Sequence, residues 1–77
     1  MAMIEGLKQY TGRERFLLLV KNDEARSIVA DWAERNIQSD LRLRRAKTRG
    51  HTVIETTDVV FANSIMQWYP GVQVVIK

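Results

Sequence analysis

The alternation of apolar and polar positions divides the chain into six segments. Arg15 to Lys21 (RFLLLVK) sets five consecutive apolar residues between charges, the pattern of a strand buried on both faces. Asn22-Asp23 then offers a helix N-cap, with Asp23 and Glu24 well placed for the helix dipole. Ala25, Ile28, Val29, Trp32 and Ala33 recur at helical spacing, so a helix is expected to run to about Asn36 or Ile37. Asn36 suits a left-handed cap at its end. Leu41 to Lys47 reads as a second strand, with Leu41 and Leu43 on one face and Arg42 and Arg44 on the other. The alternation breaks at Arg44-Arg45, which predicts a bulge or an early exit from the sheet. A turn at Thr48-Arg49-Gly50 leads into a β-branched strand, His51 to Thr57. Thr57 or Asp58 caps a second helix, whose apolar side uses Phe61, Ala62, Ile65 and one of Trp68 or Tyr69. Pro70-Gly71 ends that helix, and Val72 to Ile76 forms the last strand.

Strand, helix, strand, strand, helix, strand is the split βαβ arrangement, the ferredoxin-like α+β plait. Right-handed crossovers give a four-stranded antiparallel sheet in order 4-1-3-2, with both helices on one face. The 77 residues are expected to form a single domain. The first strand and the last are apolar on both faces, so the face without helices needs a cover. The segment 1–12, with Met3, Ile4, Leu7 and Tyr10 at helical spacing, is one candidate. A second copy of the chain, bound through this face or through the uncharged edge VQVVI, is the other, and it makes a homodimer an expectation.

Composition narrows the chemistry. The chain has no cysteine, which removes disulfides, zinc-thiolate sites and a cysteine nucleophile. His51 is the sole histidine, and no serine and acid stand at triad or nucleophile-elbow spacing around it. The carboxylates are scattered over caps, a helix face and a strand, without metal-ligand spacing, and the glycines stand singly at turns. A non-enzymatic protein without cofactor or metal is expected. No basic stretch followed by an apolar run opens the chain, and no apolar run is long enough to span a bilayer. The expected setting is therefore the cytoplasm, away from membranes.

Charge supplies the one functional feature. The net charge is +3, yet the nine residues 41–49 hold Arg42, Arg44, Arg45, Lys47 and Arg49 and no acid. The rest of the chain carries seven basic against nine acidic side chains. Forked guanidinium donors repeated along a strand suit nucleic-acid phosphates. Arg15 and Lys21 extend such a patch if their strand ends lie nearby. Charge on an edge strand also serves simply to block aggregation, and Asp40 and Glu55 are placed to neutralise part of it. An RNA-recognition module needs stacking rings on its two central strands. Here those strands offer Phe16 and His51 alone, so backbone contact is the expected mode. One alternative is a protein-binding inhibitor or adaptor docking on an acidic partner, through the same arginines or through Trp68 and Tyr69, rings of the kind enriched at interfaces; another is a purely structural homo-oligomer.

Overall fold

The computed structural model describes residues 14–77. The element order is β1 (Phe16–Lys21), α1 (Asn22–Glu34), β2 (Arg42–Arg45), β3 (His51–Thr56), α2 (Val59–Trp68) and β4 (Gln73–Ile76). The strands form one antiparallel sheet in order β2-β3-β1-β4. This is the ferredoxin-like plait that the sequence pattern predicts. No helix among the described residues is long and apolar enough to cross a membrane.

The core lies between the sheet and the helices. Phe16, Leu18 and Val20 of β1 and Ile54 of β3 meet Ala25 and Ile28 of α1 and Phe61, Ala62, Ile65 and Met66 of α2, all buried. Leu17 and Leu19 point the other way and are half-buried. The segment 1–12 proposed to cover that open face lies outside the described residues.

Three local details depart from the sequence reading. First, β1 runs straight into α1, so Lys21 is the N-cap and Asn22 is already helical. The Lys21 N–H donates to Glu24 Oε1 at 2.9 Å, which fixes the entry into the helix. Asn22 instead ties the helix start to the β2–β3 turn. Its N–H donates to the Gly50 carbonyl at 3.0 Å, and its side-chain oxygen accepts from Thr52 Oγ1 at 2.7 Å. Second, Ala33 is exposed, because it sits about 100° round the helix from Trp32 and off the buried stripe. Asn36 does take the left-handed conformation expected of it, at φ 51°.

Third, β2 is four residues long, and Leu41 packs on the core ahead of it rather than within it. The β2–β3 register is continuous from Arg42 opposite Glu55 to Arg45 opposite Thr52, so the broken alternation marks the strand's exit and not a bulge. Of the two rings at the end of α2, one of which was expected on the apolar side, Tyr69 packs on the core and Trp68 is exposed. Asp58 caps α2 as expected, accepting from the N–H groups of Val60 and Phe61 at 2.9 and 3.2 Å.

The loop before β2 is anchored to the β3–α2 turn. Asp40 Oδ1 accepts from Thr57 Oγ1 at 2.7 Å, from the Thr57 N–H at 3.0 Å and from Thr56 Oγ1 at 3.2 Å. Ser39 Oγ donates to Asp58 Oδ2 at 2.5 Å, and its carbonyl accepts from Trp32 Nε1 at 2.8 Å. These bonds hold the short β2 strand in place where apolar packing is thin, since all four of its residues are exposed.

Candidate phosphate-binding edge

The basic residues lie on and beyond an edge strand, and register divides them. In antiparallel pairs, directly opposed residues share a face. Arg42 opposes Glu55, which opposes Leu17; Arg44 opposes Val53, which opposes Leu19. Arg42 and Arg44 therefore stand on the open face. Leu43 and Arg45 stand on the helix side, opposite Ile54 and Thr52. Lys47 and Arg49 follow in the turn, where Gly50 takes φ 75°. All five cationic side chains belong to exposed residues. A polyanion lying along the outer edge of β2 meets cations from both faces and then from the turn.

One of the five is held back. Arg44 Nε donates to Glu55 Oε1 at 2.9 Å, and Arg15 reaches Glu55 Oε2 at 3.8 Å. The Glu55 side chain is 5% exposed and those of the two arginines 56% and 54%. Glu55 thus draws Arg44 inward over β3, away from the free edge. Asp40, the other acid expected to neutralise the patch, is committed to Thr56 and Thr57 instead. Burial works against its ionisation, but the hydrogen bonds from the Thr57 hydroxyl, the Thr57 N–H and Thr56 outweigh it and hold its pKa below the ordinary carboxylate value. Among the described residues, Arg42, Arg45, Lys47 and Arg49 have no carboxylate within salt-bridge distance.

The two outlying cations expected to extend the patch part company. Lys21 opposes His51 at the end of the sheet where the Lys47–Arg49 turn sits, and His51 Nδ1 lies 2.9 Å from the Arg49 carbonyl. Arg15 lies at the other end of β1, occupied with Glu55. Phe16 is buried beneath the helices, so His51 is the only ring that β1 and β3 present on the open face.

The sequence reading did not anticipate a groove of about 520 Å³ between α1 and β2, lined by Asn22, Ala25, Arg26, Val29, Leu43 and Thr52 among others. It exists because α1 covers β1 and β3 and stops short of β2, leaving Leu43 53% exposed. The signal available in the sequence was Leu43 itself, an apolar residue on a strand with no helix of its own. Among the described residues, no three His, Cys, Asp or Glu side chains come together as metal ligands.

The chain matches no protein-family model, no curated protein and no solved structure.

Proposed function

We propose that this chain is a non-catalytic nucleic-acid-binding protein that contacts phosphates along β2 and the turn after it. Arg42, Arg45, Lys47 and Arg49 are the contacts, and Arg44 is a positioning residue held by Glu55. The observation that carries this reading is the set of four exposed cations without a carboxylate partner among the described residues, on one edge and its turn. Edge protection alone needs a charge or two, and four free cations exceed that need. The missing stacking rings favour backbone contact without base readout.

The test is fluorescence anisotropy with labelled single- and double-stranded DNA and RNA over a range of salt. Four phosphate contacts predict a log–log salt slope of roughly −3.6 on duplex DNA and −2.8 on a single strand. Absence of binding at low salt overturns the proposal.

A second reading has an observation of its own. Trp68 is 40% exposed, with the Arg35 guanidinium 5.6 Å from its ring centre, and Val60 beside it is 63% exposed. An acidic protein partner docking there engages Trp68 and Arg35, while Tyr69 stays packed on the core. Trp68→Ala abolishes such binding and leaves nucleic-acid affinity unchanged; loss of both instead places the two ligands on one surface.

A further inference from the structure

We infer that β4 pairs with β4 of a second copy of this chain, in antiparallel register centred on Val75, to form a continuous eight-stranded sheet.

The backbone of β4 dictates the register. Arg15 and Lys77 exchange two hydrogen bonds of 2.8 Å, so Lys77 aims both its N–H and its C=O at β1. Hydrogen-bonding direction alternates along a strand. Val75 therefore also faces β1, while Val74 and Ile76 aim theirs out of the sheet. Among the described residues, β4 pairs with β1 alone. The outer edge thus offers two donors and two acceptors without a ladder partner. Val75 and Ile76 are 54% and 43% exposed, large apolar side chains at a bare edge.

The two edges of the sheet differ in kind. β2 carries three arginines in four residues, and two copies of it repel. β4 carries no charge, no proline and no bulge. Pairing β4 with the β2 of another copy is head-to-tail and grows without limit, whereas pairing β4 with itself closes as a dimer.

Of the twofold registers that keep both copies' helices on the same side, the two centred in the middle of β4 pair the most of it. The one centred on Val74 sets Ile76 opposite the partner's Val72. The Val72 N–H is already donated to the Tyr69 carbonyl at 3.0 Å, so one acceptor on each copy is left unpaired. The one centred on Val75 sets Val74 opposite the partner's Ile76, and the reverse. Every outward N–H and C=O of Val74 and Ile76 is then bonded. Val75 meets the partner's Val75 on the open face, and no charged pair is forced together along β4. The basic β2 edges end at the two far ends of the sheet, free for ligand, so this inference is independent of the phosphate reading.

Disulfide trapping tests it, because the chain has no cysteine of its own. In the proposed register two Val75 residues form a non-hydrogen-bonded pair, with Cα atoms about 4.5 Å apart, at the near limit for a disulfide. Gln73 and its counterpart lie four residues out of step, roughly 13 Å apart. Val75→Cys is expected to form a covalent dimer under mild oxidation and Gln73→Cys to form none, while still associating non-covalently. The unsubstituted chain is expected to sediment at twice the chain mass, and Val75→Lys to weaken association at least ~10-fold with its circular dichroism unchanged. A monomer at high protein concentration overturns the inference. Crosslinking through Gln73→Cys as efficient as through Val75→Cys overturns the register.

Discussion

Arg44 and Glu55 meet across the β2–β3 pair with Arg44 Nε 2.9 Å from Glu55 Oε1, and the two ends of this bond lie in different surroundings. The carboxylate is buried on the open face of the sheet while the guanidinium is half in water. A charge removed from water depends on its partners, and the other partner, Arg15, stands at 3.8 Å. Arg44→Ala should therefore destabilise the fold by about 1–2 kcal/mol, by leaving Glu55 under-compensated. Arg42→Ala, one turn of the pleat away and without such a partner, should stay within about 0.5 kcal/mol. Urea unfolding of both variants and of Arg44→Ala with Glu55→Gln checks this. The double variant should recover much of the loss, because it removes the stranded charge.

Asp40 makes stability depend on acid. Its folded pKa lies below the ordinary value of 3.8, since three donors favour the carboxylate over the neutral acid. A lowered folded pKa means that the unfolded chain takes up the proton first. The contribution is therefore complete above the ordinary value and fades as pH falls below it, through the folded pKa. Asp40→Asn keeps one acceptor and cannot titrate. Its unfolding free energy should lie below that of the unsubstituted chain at neutral pH, and the gap should narrow as pH falls below the ordinary carboxylate value. Denaturant titrations at pH 7, 4 and 3 read this out, and a gap that stays constant with pH removes Asp40 as the cause.

The fold was legible because its signals are local and repeated. Five apolar residues in β1, the Asp58 cap, Pro70-Gly71 and the β-branched run of β3 each point to one element, and together they fix the topology. The site was legible only as a cluster of charge. Sequence places Arg42, Arg44 and Arg45 within four positions, but which cation is free depends on Glu55, ten or more residues away and adjacent only once β3 pairs with β2. The same holds for Trp68 and Tyr69. Helical spacing says that one ring must leave the stripe, and the tertiary position of the helix end decides that it is Trp68.

The two tryptophans should answer differently to the same substitution. Trp32 is half-buried against the core and donates to the Ser39 carbonyl, helping to hold the loop that carries Asp40. Among the described residues, Trp68 makes no such bond, and Arg35 lies over its ring. Trp32→Phe should cost about 1–2 kcal/mol, the hydrogen bond plus imperfect packing. Trp68→Phe should cost less than about 0.5 kcal/mol. Acrylamide should quench the emission of the Trp32→Phe protein, which retains Trp68, more strongly than that of the Trp68→Phe protein.

Single substitutions along β2 separate contact from positioning. Each phosphate contact adds about −0.9 to the salt slope on duplex DNA. Arg42→Ala and Arg45→Ala, on opposite faces of the same edge, should each make the slope shallower by about 0.9. Lys47→Ala and Arg49→Ala should do the same from the turn. Arg44→Ala should leave the slope nearly unchanged, because Glu55 already keeps that guanidinium from the edge. Glu55→Gln should steepen it by up to about 0.9 and tighten binding, since Arg44 is then released toward the ligand and one negative charge is gone. If Arg42→Ala matters and Arg45→Ala does not, the ligand lies on the open face and not along the edge. Arg45, on the helix side of β2, then serves only to keep that edge from pairing.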